Sequence, residues 1–284
     1  MDISPQPSIL VFYTYGKNRR KLEGALPYLK ALASGSDFRV YVTVSSLDEV
    51  FWDARTGIRA LVLSTPERYE NLPLKTWEIL SKFEGDDFKF LFKVDDDVEL
   101  YPDVLRRINR SEKSRYLAYK AFFRDQTFGP ELYHLGKTGN IQPFSYNRNS
   151  SDCCDSFYYA GGSIYGISRD ALLVFLSRTS PEVIVSDRNE KNVRGLYEDL
   201  MLGELLARSG YSPKSALPVF RASFTGVVKS LRVLWNSLVH TFYSNPVSVN
   251  DSCILGVIVE VPNLRSAFFS KVIGMIAFFA NRPR

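Results

Sequence analysis

Histidine and cysteine are scarce in this 284-residue chain, at two and three residues. The cysteines are the neighbours Cys153 and Cys154 and the distant Cys253. With no CxxC spacing among them, a disulfide framework and a cysteine metal site are both excluded. No Lys/Arg block is long enough to argue for nucleic acid, and the net charge of +5 suits an anionic ligand or an acidic membrane face instead. The N-terminal stretch MDISPQPSILVFYTYG has no basic segment followed by an apolar one. Neither a secretory signal nor an N-terminal anchor is therefore expected, and the expected location is cytoplasmic or peripheral to a membrane. On that basis the N-x-S/T sequons at Asn109, Asn149 and Asn250 read as chance matches. No internal repeat is present.

What the chain does contain is an ordinary globular composition, 45% hydrophobic and 24% charged, rich in Tyr (16) and Phe (20). It is long enough to bury a substantial core. Apolar, β-rich runs at Ile9–Tyr15, Phe38–Val44, Ala60–Ser64, Phe88–Val94 and Tyr116–Phe122 predict strands, and Tyr158–Ser168 a strand pair or strand-turn. Helical spacing is read through Leu22, Leu26, Leu29 and Leu32, over Leu72–Phe83, over Asp103–Asn109 behind Pro102, over Asp170–Ser177 and over Glu198–Ser209. Residues 124–156 read as a long irregular loop. The alternation predicts an α/β fold, a sheet flanked by helices. The domain expectation is a catalytic unit over 1–245 with a C-terminal extension over 246–284.

The segment KFLFKVDDDVEL, residues 89–100, poses the sharpest question. Asp95, Asp96 and Asp97 follow an apolar strand, yet adjacent like charges repel. In open α/β sheets, ligands bind beyond the carboxyl ends of the strands, where these carboxylates fall. They are tolerable there if positive charge sits among them. Mg²⁺ or Mn²⁺ takes oxygen ligands and is commonly shared with substrate phosphates. A bare Asp-x-Asp turn, taken alone, reads first as a solvated acidic turn.

Three further stretches bear on the choice: YENLPLKT (Tyr69–Thr76), YYAGGSIYGIS (Tyr158–Ser168) and LYEDLMLGELLARSGYSP (Leu196–Pro213). Together with Lys93-Val94-Asp95-Asp96-Asp97 and in this order, they resemble the β-1,3-galactosyltransferase/Fringe-like glycosyltransferases. That family shows Y-x-N-L-x-x-K-T, K-x-D-D-D, Y-x-x-G-G-x-Y-x-x-S and E-D-V-x-x-G elements. Leu200 stands where the last of these has Val. The resemblance covers roughly Ile9 to Pro213.

The resemblance implies a GT-A fold, with a mixed and mostly parallel central sheet flanked by helices. It also implies an inverting transfer of a hexose, galactose or an N-acetylhexosamine, from a UDP-sugar to a glycan hydroxyl. A divalent metal, Mn²⁺ or Mg²⁺, would stabilise the charge developing on the departing UDP. Asp97 is then the expected metal ligand, Asp95 a ribose or donor-sugar contact, and Asp96 a support for either role. Asp199, at a helix start, is the expected general base, and the helix N-terminus is expected to lower its pKa and keep it ionised. Gly161 and Gly162 are expected at the donor–acceptor junction, where glycine lets backbone approach a ligand and tyrosines can stack on sugar faces. Tyr13 and Thr14, at the end of the first strand, join Arg19 (or Arg20) and Lys75 as donor-side candidates. Related enzymes bring a C-terminal histidine to the metal, which nominates His240, while His134 falls in the long loop.

Leu264–Ala280 is very apolar but interrupted by Lys271, so its uncharged run is too short to span a bilayer. Flanked by Arg265, Arg282 and Arg284, the segment Leu264–Arg284 can lie in a membrane interface or pack as a terminal helix. Two other classes stay open from sequence: a catalytically inactive sugar-nucleotide-binding module, and a metal-dependent nucleotidyl- or phosphotransferase.

Overall fold

A computed structural model describes residues 6–14, 19–96, 98, 100–125, 156–190 and 193–217. All of them belong to one compact unit, Met1–Val233. Asp97, His134, His240, the three cysteines, the sequons at Asn149 and Asn250, the 245/246 boundary and the segment Leu264–Arg284 lie outside the described residues.

The strands are β1 (Ser8–Tyr13), β2 (Phe38–Val44), β3 (Ile58–Val62), β4 (Phe90–Asp95), β5 (Tyr116–Ala118), β6 (Ala121–Asp125), β7 (Ser156–Ala160), β8 (Ile164–Ser168) and β9 (Lys214–Ser215). The helices are α1 (Arg19–Ala33), α2 (Leu72–Ser81), α3 (Pro102–Ser111), α4 (Arg169–Arg178), α5 (Pro181–Asn189), α6 (Val193–Leu196) and α7 (Glu198–Ala207). Seven strands form one sheet in the order β3-β2-β1-β4-β8-β5-β9. β1 to β4 run parallel, and β8 lies antiparallel to both β4 and β5. This is the mixed, mostly parallel sheet expected of a GT-A fold.

Every residue of β1 is buried, as a central parallel strand covered on both faces requires. Its side chains divide by alternation. Ile9, Val11 and Tyr13 join a core with Ile79 and Leu80 of α2, Ala171, Leu172 and Phe175 of α4 and Met201 and Leu205 of α7. Leu10 and Phe12 join the opposite core with Leu22, Leu29 and Leu32 of α1 and Leu105 of α3. The chain departs from β1 to β2 on one side and lies beside β4 on the other. The strand order therefore reverses between β1 and β4, the kind of position at which open α/β sheets bind their ligands. Tyr13 and Asp95 pair across that point.

One expectation needs correction, and one helix was not expected. Tyr116–Phe122 is not one strand, because β5 stops at Ala118 and β6 turns away to pair with β7 in a separate two-stranded ribbon. Tyr119 and Phe122 are exposed, whereas Tyr116, Leu117 and Ala118 are buried, so the break falls where the core ends. The ribbon returns to the main sheet through Gly161 and Gly162, and β7 and β8 thus belong to different sheets. The helix α5 is also unannounced by its sequence, which includes the β-branched run Val183-Ile184-Val185. Its start is specified locally: Ser180 accepts a hydrogen bond from the Val183 amide at 3.3 Å, and Pro181 occupies the first turn. Asn109 is buried and accepts the Ser8 hydroxyl at 2.6 Å, so in the fold that sequon asparagine is part of the core.

Gly203 explains the glycine five residues after Glu198. A β-carbon there would overlap the Tyr159 β-carbon and lie 3.0 Å from the Tyr159 α-carbon, so only glycine lets α7 lie directly on β7. Alanine would add about 1 kcal/mol of helix propensity. Overpacking costs about 1–3 kcal/mol, and a clash against backbone falls at the upper end. Gly203→Ala should therefore lower the urea midpoint with an unchanged m-value. A midpoint equal to or above that of the wild type would contradict this packing.

Candidate active site

Alternation along β4 places Leu91, Lys93 and Asp95 on the face covered by α2 and α7. A lysine there must be buried, and Lys93 is 2% exposed. Its ammonium finds three oxygens: Asp95 Oδ1 at 2.6 Å, Glu198 Oε1 at 2.6 Å and the Gly162 carbonyl at 2.7 Å. Burial by itself would push the Lys93 pKa down, but Asp95 and Glu198 outweigh it and hold the amine well above its ordinary value. The other Glu198 oxygen accepts the buried Thr76 hydroxyl at 2.7 Å. Four separate stretches thus meet at one cation: the end of β4, the start of α7, the glycine bend, and, through Glu198, Thr76 of α2. The Asp95 amide adds a bond to the Ser163 carbonyl at 2.9 Å, fastening the bend to the β4 end.

The neighbouring Asp96 points to the other face, where Lys21 of α1 pairs with it at 2.5 Å. This answers the question of the adjacent aspartates for the first two. The positive charge beside each is an ammonium, supplied from opposite faces of the sheet. Sequence reasoning missed both lysines, although the inward register of Lys93 in an otherwise apolar strand was a usable signal.

Asp199 is the second residue of α7 and keeps part of its surface open while protein packs closely around its carboxylate. Burial, reinforced by the Glu198 charge, raises its pKa to about 6, against the opposing pull of the Leu200 amide and Lys93. The expected lowering by the helix N-terminus is thus reversed, because desolvation and a like charge exceed the amide contribution. Its oxygen nonetheless accepts the Leu200 amide at 2.9 Å. The Asp199 charge helps to push Tyr159 of β7 up to about 12, burial being the larger cause.

Gly161 and Gly162 are small for stated reasons. A β-carbon on Gly161 would stand 2.7 Å from the Phe122 ring, and one on Gly162 would stand 3.0 Å from Glu198 Oε1 and 3.8 Å from Asp199 Oδ2. The bend therefore brings backbone against both acidic residues. Phe122 in turn stacks on Tyr159, with centroids 5.7 Å apart and planes 28° apart, which gives the bend an aromatic border.

The donor-side candidates divide. Tyr13 is buried beside the cluster, with the ammoniums of Lys75 and Lys93 4.6 and 5.2 Å from its ring centre. Its hydroxyl has no hydrogen-bond partner among the described residues. Thr14 closes the β1 end onto β2, donating its hydroxyl to the Thr43 carbonyl at 2.7 Å. Lys75 is fully buried against Glu67 and Tyr13, and burial lowers its pKa. To meet a phosphate it would have to leave Glu67. Arg19 is exposed, pairs with Glu23 at 2.9 Å and lies 4.4 Å over the Phe51 ring, so it remains at the surface beside α1. Arg20 is an exposed residue of the same helix. No group of three potential metal-ligating side chains occurs among the described residues, which include neither Asp97 nor His240.

The chemical capacity of the arrangement is specific. Asp199, its pKa raised to about 6, stands beside a glycine bend and across a buried lysine from the acidic end of β4. A carboxyl with a raised pKa and an acidic strand end thus stand on either side of one buried ammonium, a kind of environment found at functional sites.

No curated protein matches the chain. A family model described as Galactosyltransferase matches residues 48–213, more than half of the chain, and takes in α2, the β4 aspartates, the glycine bend and α7. These are the elements that meet around Lys93, and the chain belongs to the Galactosyltransferase family, as a glycosyltransferase.

Proposed function

We propose that this enzyme is an inverting transferase that moves a hexose, galactose or an N-acetylhexosamine, from a UDP-sugar to a glycan hydroxyl, forming a β linkage. The observation that carries the reading is the position of Asp199. It is a half-buried residue whose carboxyl pKa is raised to about 6 by burial, set at the glycine bend opposite the acidic strand end. In a single displacement, the acceptor oxygen attacks the anomeric carbon from the face opposite UDP, the bond to UDP breaks, and the hydroxyl proton passes to Asp199. A base with a pKa near the working pH combines a usable ionised fraction with adequate proton affinity.

The crevice between the ends of β1 and β4 would take the donor. The residues fit a divalent metal in part. Asp95 and Asp96 are each matched by an ammonium, so the metal would be held by Asp97, with His240 as the second candidate ligand. Such an ion would supply Lewis-acid stabilisation of the departing diphosphate. The stacked Phe122 and Tyr159 border the acceptor side.

Three outcomes are expected. Activity should require Mn²⁺ or Mg²⁺, and Asp97→Ala should remove both turnover and metal-dependent UDP binding. Full activity in EDTA would contradict the metal reading. Transfer should need ionised Asp199, so kcat/KM should rise with pH through about 6 and level off above it. Asp199→Asn should reduce transfer by about 10²–10⁴-fold while UDP-sugar affinity stays near that of wild type. An acidic limb near the ordinary aspartate value, or near-normal transfer by the variant, would place the base elsewhere.

The same substitution should stabilise the fold. The native pKa lies above the unfolded one, so the folded state binds the extra proton between about pH 4 and 6 and loses stability as the pH rises through that window. A shift of about two units is worth at most about 3 kcal/mol, and partial solvent access reduces it to about 1–2 kcal/mol. Asp199→Asn should accordingly melt a few degrees above wild type at pH 7, with the gain vanishing near pH 4. A lower Tm at pH 7 would contradict this account of Asp199.

A further inference from the structure

We infer that Lys93 is a positioning residue that joins the donor side of the site to the acceptor side, so that the two halves are held in one relative geometry. The inference rests on the transferase reading above and adds a residue to which no role in the reaction has been given. Three observations support it.

The first is the identity of the three partners. Asp95 ends the strand that leads into the donor-side turn, Glu198 begins the helix that carries Asp199, and Gly162 forms the bend between them. A cation that served only to neutralise one buried carboxylate would need one of these contacts. Lys93 makes all three within 2.7 Å, and an ammonium has only three protons to give.

The second is enclosure. Lys93 is 2% exposed, and the rings of Tyr13 and Tyr165 stand 5.2 and 5.7 Å from its ammonium. With aromatic walls on the cation and Glu198 itself buried, that contact cannot be exchanged for solvent at low cost, whereas Asp95 reaches from the same ammonium to the open side, its side chain 32% exposed.

The third is the way Glu198 is shared. One of its oxygens goes to Lys93 and the other to the Thr76 hydroxyl of α2, and a β-carbon on Gly162 would fall 3.0 Å from the Lys93-bound oxygen. Glu198 is fixed at both ends, and Asp199, the next residue, inherits its place from that fixation. Asp95 is held by the same ammonium, so a displacement at the donor turn is transmitted to the helix start through one atom.

The experiment is steady-state transfer with donor and acceptor varied separately, at a temperature where every variant is folded by circular dichroism. Asp95→Asn loosens the donor side and should act chiefly on donor KM. Glu198→Gln keeps an acceptor for Thr76 and should act chiefly on kcat. Lys93→Met removes the shared cation at similar side-chain length and should do both, raising donor KM and lowering kcat by about 10²-fold, the cost of a misplacement near 1 Å. A Lys93→Met enzyme with unchanged kinetics and only a lower Tm would reduce Lys93 to a structural buried charge and overturn the inference, as would a loss confined to one side.

Should Lys93→Met fail to fold, the combined Asp95→Asn/Glu198→Gln variant decides the matter with Lys93 in place. If the lysine joins the two sides, the effects of the single changes on kcat/KM should depart from additivity by at least about threefold. Additive effects would overturn the inference. Wild-type enzyme run alongside separates this failure from failure of the function itself. No transfer from any UDP-sugar by wild type sinks the transferase reading and the inference with it, whereas an active wild type with additive variants sinks the inference alone.

Discussion

The ion pairs of Lys93 with Asp95 and Glu198 are the interaction on which the candidate site depends. Burying an ammonium is costly unless its protons are all matched, and here two carboxylates and a carbonyl match them. The consequences spread outward. Glu198 must reach the sheet, so α7 must begin there, and Gly203 lets that helix lie against β7. The bend must turn its carbonyl inward, so Gly162 has no side chain to collide with Glu198. Asp199 is then left beside a like charge in a close-packed environment, which raises its pKa. The property that suits it to accept a proton near neutrality is a by-product of how its neighbour is held.

The sheet supplies the setting. Strand order reverses between β1 and β4, and the ends of the two strands lie side by side with Tyr13 opposite Asp95. Alternation along β4 sends Asp95 to Lys93 on one face and Asp96 to Lys21 on the other. Consecutive carboxylates, which would repel in a solvated turn, are thereby separated and individually matched. The acidic strand end is compatible with a stable fold for this reason, independent of any ion bound at Asp97.

Much of this was legible in the sequence. The α/β class followed from alternating strands and helices, and β2 was placed from Phe38 to Val44 because its apolar, β-branched run has clear ends. The order of the four motifs pointed to the family whose model matches residues 48–213. The rest was hidden for physical reasons. The break between β5 and β6 depends on where the core stops, which composition does not mark. The helix α5 carries strand-forming residues and is decided by its cap and Pro181. Lys75 reads as a donor-side candidate, yet the fold buries it against Glu67 and Tyr13. The sign of the Asp199 shift required knowing that burial and Glu198 outweigh the helix terminus. Two of the three partners of Lys93, Gly162 and Glu198, lie 69 and 105 positions away, beyond the reach of local spacing.

The central claim is that a single displacement at this crevice inverts the configuration of the donor sugar, with the acceptor hydroxyl and UDP on opposite faces of the anomeric carbon. Proton NMR of the first product formed by the wild-type enzyme from a UDP-α-hexose and a glycan acceptor tests it most directly. The account predicts a β-configured anomeric proton at the new linkage. An α-linked product would contradict it, because retention requires a geometry in which Asp199 does not act as the base of a one-step transfer.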